Sequence, residues 1–449
     1  MDGASGLLKE TTSRCPVCHA SAPARVLERD GQIFLRRTCA EHGPSESRIS
    51  SDARFYNVSK GSGCCGSGCG CGPSDAASEN LFENLSTCIA LIEIVDSCNL
   101  ACPTCFADSP AQKDVDCVSI EHFKQRVQAV IDRKGKIEIL QLSGGEPTLH
   151  PNFFEILAWS QSNSEIDYVL VNTNGVRLAN DSAFAEELDR SYKRGGLQLY
   201  LQFDGVQEAA QKALRGLDLR KTKQRAIEVA GAMEGGGLPI TLAMTVTDDN
   251  LPYVWDAVEY GLQFDHVRGV AFQPFFESGR SSCNGMSSER LNPADIILSL
   301  INHADSLLSD RDFTPLPCGD PNCHTIGYLL KTAEGIRSIA DYVDFSQVQG
   351  FLSNRLTWSL EDLAQCGCDQ EPLGDVLKQL ETDESHTFRL FIKPFMDAHS
   401  WDDDRIDRCC THVIRPDGKL DSFCRYYSGF PGTWNAPRSI TFMTENTST

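Results

Sequence analysis

Apolar runs alternate with amphipathic segments from residue 88 to about residue 275 of the chain. Six short apolar runs, beginning with "CIALIEIV", are typical of buried strands, and each is followed by a segment with helical spacing of its apolar residues. Strands and helices that alternate without a break are typical of a parallel sheet covered by helices. The pattern therefore predicts an α/β fold built on a partial (β/α)6 TIM-like barrel.

The segments on either side of this region have other patterns. Residues 11–60 contain two alternating strands around the turn "RDG" and are predicted to form a small N-terminal metal-ribbon unit. Residues 61–88 are rich in Gly and Ser, which is typical of a flexible linker. Their four cysteines before Cys88 favour a backbone that wraps around a metal cluster over an unstructured segment. We assign the barrel to residues 89–290. Residues 291–449 are predicted to be a cysteine-bearing C-terminal appendage that closes over the barrel mouth.

Charge narrows the possible partners. The chain of 449 residues has a formal net charge of −21. Such an acidic chain is not expected to bind nucleic acid or to dock electrostatically on an anionic membrane. It contains no apolar run of about 18 residues and no apolar signal core near its first residue, so we expect no transmembrane segment and a cytoplasmic location.

Twenty cysteines are unusual for a chain with that expected location. They occur in clusters, which indicates metal ligands rather than disulfides. The first cluster has the pattern C-x2-C followed by C-x2-H, which is typical of a zinc-ribbon or rubredoxin-like site holding one Fe or Zn ion. Its predicted ligands are Cys15, Cys18, Cys39 and His42, although His42 is also compatible with a simple role in the turn before Gly43.

Three cysteines lie in the loop after the first predicted barrel strand, in the stretch "DSCNLACPTCFAD". Cys98, Cys102 and Cys105 have the spacing C-x3-C-x2-C. A closed zinc site or an ordinary electron-transfer cluster needs four protein ligands. Three thiolates leave one coordination position of the metal vacant, which is what a catalytic site requires.

Further motifs follow the later strands, namely "SGGEP", "NTNG", "QFDG" and "QPF". Function in α/β barrels collects at the C-terminal ends of the strands, so these motifs and the three-cysteine loop indicate one active site. Together they resemble the radical SAM superfamily. This resemblance implies a catalytic 4Fe–4S cluster on Cys98, Cys102 and Cys105 that binds S-adenosylmethionine and yields a 5′-deoxyadenosyl radical. It also implies cofactor-binding roles for Gly144, Gly145, Glu146, Pro147, Asn174, Asp204 and Gln273.

Two further stretches narrow the resemblance, the loop "CNLACPTCF" and the tail "RCCTHVIRPDGKLDSFC". They resemble the class D radical SAM methyltransferases, a group that includes the archaeal tetraether lipid synthases. That resemblance implies two auxiliary 4Fe–4S clusters. The first would use Cys65, Cys69, Cys71 and Cys88, with Cys64 as an alternative to Cys65. The second would use Cys318, Cys323, Cys410 and Cys424, with Cys409 as an alternative to Cys410.

The activity implied is hydrogen abstraction from an unactivated carbon followed by C–C bond formation, in the form of methyl or methylene transfer from a reduced folate or pterin. Coupling of lipid chains is the alternative within the same family. A peptide-modifying radical SAM enzyme and a non-catalytic multi-cluster electron carrier are less favoured, because they explain fewer of the motifs. The implied partners are a small-molecule or lipid substrate and an electron donor such as flavodoxin or ferredoxin.

Overall fold

Two β-sheets organise the chain. The computed structural model describes residues 6–57, 87–111, 115–281, 290–304, 307–316, 319–332, 335–341 and 387–430. In these residues the smaller sheet has four strands and the larger sheet has twelve. The predicted cluster ligands Cys65, Cys69, Cys71 and Cys318 lie outside the described residues, as does Cys64.

The four-stranded sheet is antiparallel, with its strands in chain order. Its strands are β1 (Gly6–Arg14), β2 (Ser21–Arg29), β3 (Gln32–Cys39) and β4 (Gly43–Ser50). The predicted hairpin is confirmed, because β2 and β3 pair across Asp30 and Gly31. Both turn residues have positive φ angles, as a two-residue type I′ turn requires. Val26, Ile33 and Leu35 form the small core beneath this sheet.

Six parallel strands form the centre of the larger sheet, and they pair in chain order. They are β5 (Ile89–Val95), β6 (Ile137–Gly144), β7 (Ile166–Thr173), β8 (Leu197–Gln202), β9 (Ile240–Val246) and β10 (Val267–Pro274). These are the six strands that the alternating pattern predicts. Their apolar residues dominate the main hydrophobic core, together with the inner faces of the helices.

Helices connect these strands in the predicted alternation. They are α1 (Ile120–Lys134), α2 (Phe153–Ser162), α3 (Val176–Asn180), α4 (Ser182–Tyr192), α5 (Glu208–Arg215), α6 (Arg220–Gly231) and α7 (Val254–Leu262). The helix predicted after the barrel is α8 (Pro293–His303), which begins with a capping box between Asn292 and Asp295. No helix among the described residues is both long and apolar enough to cross a membrane.

The C-terminal region adds strands to both edges of the six-stranded sheet. These strands are β11 (Thr314–Pro315), β12 (Thr325–Thr332), β13 (Gly335–Ser338), β14 (Thr387–Ile392), β15 (Thr411–Ile414) and β16 (Leu420–Ser422). β14 pairs in parallel with β10, and β15 pairs in parallel with β5, so eight consecutive strands are parallel. The sequence predicts an appendage that closes over the barrel mouth, and the structure shows that its strands β14 and β15 extend the barrel wall.

The ribbon packs against the segment that precedes β15. Lys9 lies 2.6 Å from a carboxylate oxygen of Asp402. Arg37, which is 1% exposed, donates hydrogen bonds to the carbonyl oxygens of Ala398 and His399. Burial lowers the pKa of Arg37 to about 10. The ribbon is therefore attached to the barrel by buried polar contacts, and these contacts hold the chain that leads to Cys409 and Cys410.

Candidate active site

The three-cysteine loop leaves β5 and folds back over the end of the barrel. The amide of Cys98 donates to the carbonyl of Pro110, and Cys105 exchanges two backbone hydrogen bonds with Arg280. The guanidinium of Arg280 also donates to the carbonyl of Cys102. All three thiols line one cavity, so the structure brings the predicted cluster ligands together.

Burial changes the pKa of two of these thiols. It raises the pKa of Cys98 to about 12, and the charges of Glu146 and of the other two thiols act in the same direction. Burial also raises the pKa of Cys102, against the opposing effect of Arg215. Buried thiols that oppose one another's ionisation need a cation to become thiolates. The donor set therefore fits an iron–sulfur cluster.

The "SGGEP" motif packs against the backbone at the start of this loop. A Cβ atom at Gly144 would lie 2.0 Å from the carbonyl oxygen of Val95, and one at Gly145 would lie 2.1 Å from that of Ser97. Only glycine fits at either position, because the obstacle in each case is backbone. The two glycines thus allow a close approach to the protein's own cysteine loop, whereas the sequence alone suggested an approach to a ligand.

Glu146 lines the cavity and is 1% exposed. Its Oε1 accepts hydrogen bonds from the hydroxyls of Thr148 and Thr173, at 2.7 and 2.8 Å. Its Oε2 accepts the amide of Asn174 at 2.7 Å and no other hydrogen bond from the described residues. Burial raises the pKa of this carboxyl despite these donors. One lone pair on Oε2 therefore remains for a cationic group in the cavity.

Asn174, at the exit of β7, lies against the cysteine loop. Its Nδ2 donates to Oδ1 of Asn99 at 2.6 Å, and its carbonyl accepts from Nζ of Lys223 at 2.6 Å. Asn174 and Gln273 both line the cavity. The Nε2 atom of Gln273 donates to the hydroxyl of Tyr200 at 2.7 Å.

Asp204 is fully buried behind the cavity wall. Its carboxylate pairs with both ends of the Arg215 guanidinium, at 2.6 and 2.8 Å, and accepts the amide of Thr245. Burial opposes the charge on Asp204, but Arg215 and Lys223 outweigh it and lower the pKa of the carboxyl. The cavity reaches Arg215 and does not reach Asp204.

Arg215 is a site residue that the sequence analysis missed. Its positive charge opposes the rise that burial causes in the pKa of Cys102, and its guanidinium is held by two hydrogen bonds to Asp204. It lies at the last position of α5, directly before Gly216, and thus eleven residues after Asp204. The signal in the sequence that could have identified Arg215 is its position at the end of the first helix after "QFDG". A guanidinium at this place offers a charge partner to a carboxylate bound beside the cysteine loop.

Four residues of the ribbon converge in a second group. The ligand atoms of Cys15, Cys18, Cys39 and His42 all lie within 4.8 Å of one another. Cys18 and Cys39 sulfurs are 3.7 Å apart, and Nδ1 of His42 lies 3.6 Å from the sulfur of Cys39. Three thiols and one imidazole that converge in this way suit a structural metal ion, and His42 is placed to be its fourth ligand.

A third group of cysteines lies where the C-terminal strands join the barrel. Cys409 is partly buried, and desolvation together with the neighbouring Cys410, Cys424 and Cys323 raises its pKa well above the usual value. A guanidinium nitrogen of Arg405 lies 3.5 Å from the sulfur of Cys323. The amide of Cys88 donates to the carbonyl of Cys410.

Comparison with known proteins agrees with these arrangements. Residues 7–51 match the HMPTM N-terminal zinc ribbon domain, and residues 92–260 match the radical SAM superfamily. A 7,8-dihydro-6-hydroxymethylpterin dimethyltransferase of Methanocaldococcus jannaschii is 26% identical over 93% of this chain and 93% of its own length. A GTP 3′,8-cyclase of Syntrophomonas wolfei is 29% identical, over 41% of this chain and 54% of its own length.

Among solved structures, Streptococcus suis SuiB bound to S-adenosylmethionine aligns over 49% of this chain and 48% of its own, with 15% identity and a TM-score of 0.38. The superfamily match begins within β5 and includes the cysteine loop, the "SGGEP" turn and Arg215. A zinc-ribbon metal site precedes it. This chain is a radical SAM enzyme, with a 4Fe–4S cluster that binds S-adenosylmethionine and a methyltransferase among its relatives.

Proposed function

We propose that this enzyme methylates a carbon of a dihydropterin-like heterocycle by radical chemistry, forming a C–C bond. The observation that carries the proposal is the alignment with the pterin dimethyltransferase, which spans 93% of both chains. That alignment extends well beyond the barrel, whereas the match to the GTP cyclase covers 41% of this chain. A relationship over nearly the whole length supports a shared reaction class better than a shared barrel does.

The cofactor is proposed to bind where the cysteine loop meets the strand exits. Cys98, Cys102 and Cys105 would hold three irons of the cluster. When bound, the cluster and S-adenosylmethionine supply a 5′-deoxyadenosyl radical that abstracts hydrogen. The remaining lone pair of Glu146 suits the methionyl ammonium, and Arg215 suits its carboxylate. Pro147, Asn174 and Gln273 complete the proposed set.

Asp204 acts in this proposal through Arg215. Its two hydrogen bonds fix the guanidinium plane next to Cys102. A planar, always charged group that is already oriented loses little freedom when a carboxylate binds. Asp204 is therefore a positioning residue, and the cofactor-binding role that the resemblance implies for it is indirect.

The second auxiliary cluster remains part of the proposal. Cys410, Cys424 and Cys323 all raise the pKa of Cys409, which supports a ligand group at this place with Cys409 and Cys410 as alternatives. The sulfur of Cys410 lies beside Gly319, which directly follows the predicted ligand Cys318 in the chain. Phe423 and Thr411, which adjoin Cys424 and Cys410 in the chain, line the active-site cavity. A cluster at this place would adjoin the cavity wall and could transfer electrons to the catalytic cluster proposed on the cysteine loop.

The lining of the cavity favours a polar heterocycle over a lipid chain. Gln141, Asn172 and Gln273 contribute amide groups to it, and a hydrocarbon chain would offer no hydrogen bond to the amide atoms that neighbouring side chains leave unpaired, such as Oε1 of Gln141. Phe391, Phe395 and Phe423 contribute aromatic surface. The electron donor is proposed to be a flavodoxin or ferredoxin in the cytoplasm.

The test is anaerobic reconstitution with iron and sulfide, followed by incubation with S-adenosylmethionine, dithionite and 7,8-dihydro-6-hydroxymethylpterin. We expect 5′-deoxyadenosine and a methylated pterin, both detected by mass spectrometry. Methyl-labelled S-adenosylmethionine and methylene-labelled tetrahydrofolate, supplied in separate reactions, identify the carbon donor. The Cys102→Ala variant controls for non-enzymatic cleavage. Formation of 5′-deoxyadenosine without any modified pterin would refute the proposed substrate and leave the radical chemistry intact.

A further inference from the structure

The active-site cavity continues from the cysteine loop into the lumen of the barrel. Gln141 on β6 and Asn172 on β7 line this deeper part. Nε2 of Gln141 donates to Oδ1 of Asn172 at 2.5 Å, and Nδ2 of Asn172 donates to the hydroxyl of Ser143 at 3.1 Å. Two neighbouring strands thus present a connected pair of amides to the cavity.

This amide pair is unusual for its position. The lumen of an α/β barrel is normally filled by branched apolar side chains. Gln141 is 7% exposed, and its Oε1 accepts no hydrogen bond from the residues that the structure describes. This carbonyl faces the cavity and has no donor among the described residues, so it can accept a hydrogen bond from a molecule bound there.

The opposite wall of the lumen is aromatic. In the series of eight parallel strands from β15 to β14, β14 is four strands away from β7, and it therefore lies across the barrel. It contributes Phe391 to the cavity, and the adjoining chain contributes Phe395. The rings of Phe395 and Phe423 are stacked, with centroids 4.0 Å apart.

A flat ring with hydrogen-bond donors and acceptors on its edge is complementary to both walls, the amide pair on one side and the aromatic side chains on the other. Aromatic side chains contact the face of such a ring, and amides read its edge because each offers a donor and an acceptor. We propose that Gln141 and Asn172 are the specificity-determining residues that hydrogen-bond the lactam edge of the substrate ring. This inference rests on the proposed function, which supplies a heterocyclic substrate.

Binding of the substrate can be separated from binding of the cofactor. The experiment measures the Kd of reconstituted enzyme for 7,8-dihydro-6-hydroxymethylpterin and, separately, for S-adenosylmethionine, by anaerobic equilibrium dialysis. In Gln141→Leu we expect the Kd for the pterin to rise by roughly tenfold or more, since a polar edge loses its partner. The Kd for S-adenosylmethionine should change much less than the Kd for the pterin, so the ratio of the two Kd values separates loss of the substrate contact from loss of a cofactor contact.

Gln198 provides a matched control. It is a buried amide on the same face of β8 as Tyr200, and its Nε2 donates to Thr241 at 2.6 Å, but it does not line the cavity. Gln198→Leu should leave the Kd for the pterin unchanged. Gln141→Met, which preserves the length of the side chain, should reproduce the loss seen in Gln141→Leu, and its circular dichroism and iron content verify folding.

The possible outcomes are distinct. Wild-type binding and methylation of the pterin with no loss in either Gln141 variant would overturn this inference and leave the proposed function standing. A parallel loss of both affinities would assign the amide pair to the cofactor and would also overturn the inference. A wild-type enzyme that does not bind the pterin would refute the proposed substrate, and the inference with it.

Discussion

Asp204 and Arg215 form a buried ion pair directly behind Cys102. The two hydrogen bonds measure 2.6 and 2.8 Å, and the carboxylate is completely excluded from solvent. A buried pair of this kind contributes less net stability than its short distances suggest, because both charges lose their hydration. Its effect is mainly geometric, since it fixes a positive charge beside one thiol of the cluster site.

Removing the charge of Asp204 should therefore be far more damaging than removing that of an exposed acid. In Asp204→Asn the Arg215 guanidinium stays buried without its counter-charge, and we expect a loss of roughly 3–5 kcal/mol in the free energy of unfolding. Anaerobic urea denaturation measures it. Asp218→Asn removes the exposed partner of Arg220 and should have little effect. Equal, small losses in both variants would contradict the buried ion pair.

Lys223 should make stability depend on pH above neutrality. Burial lowers the pKa of Lys223 to about 8, from 10.5. Because the folded chain releases this proton at lower pH than the unfolded chain, the free energy of unfolding should rise between pH 8 and 10.5. The Lys223→Met variant lacks this rise. The difference between wild type and variant, measured by urea denaturation across that range, isolates the contribution of Lys223, which is on the order of 3 kcal/mol.

The control for this pH series is Lys212→Met, because Lys212 is an exposed lysine that pairs with Glu208 on α5. Other groups titrate in the same range, but they are common to all three proteins. If the Lys223→Met and wild-type curves remain parallel from pH 8 to 10.5, the lysine is not buried as described.

Alanine at position 145 should prevent assembly of the cluster site. The added methyl would meet the carbonyl oxygen of Ser97 at 2.1 Å, so the "SGGEP" turn and the cysteine loop could not both keep their positions. We expect Gly145→Ala to lose most of its charge-transfer absorbance after reconstitution. In Gly6→Ala the added methyl meets no atom within 4 Å, and this variant should reconstitute like the wild type. Full absorbance in Gly145→Ala would be evidence against the close crossing of the two loops.

The ribbon metal should be separable from the catalytic cluster. Cys39→Ser removes one of four converging ligands, and we expect metal analysis to show the loss of one zinc or mononuclear iron ion per chain. Cleavage of S-adenosylmethionine should continue, because the ribbon residues do not line the catalytic cavity. Cys117→Ser, which alters a cysteine outside all three groups, should keep the full metal content. Loss of cleavage in Cys39→Ser alone would show that the two sites depend on each other.

Much of the barrel was predictable because its signals are local. Each strand from β5 to β10 is a short apolar run followed by a helical repeat, and each motif lies at the C-terminal end of its strand. The ribbon ligands were predictable for the same reason, since Cys15 and Cys18, and Cys39 and His42, form two local knuckles joined by a hairpin.

What the sequence did not predict depends on contacts between distant segments. The pairing of β15 with β5 joins Thr411 to Ile89, and no local pattern specifies that partner. Arg215 resembled any other basic residue at the end of a helix until the fold placed it against Cys102. Gln141 looked like one polar residue within a strand, and its importance came from Asn172 on the next strand.

The pairing of β5 with β15 has a consequence for how the enzyme matures. A ribosome produces the cysteine loop long before it produces Thr411, so the barrel wall beside that loop is incomplete during most of synthesis. Until then the thiols face an open edge that oxygen can reach. Iron and sulfide are therefore expected to enter after the chain is complete, and a stalled or truncated chain would be the form most exposed to oxidation.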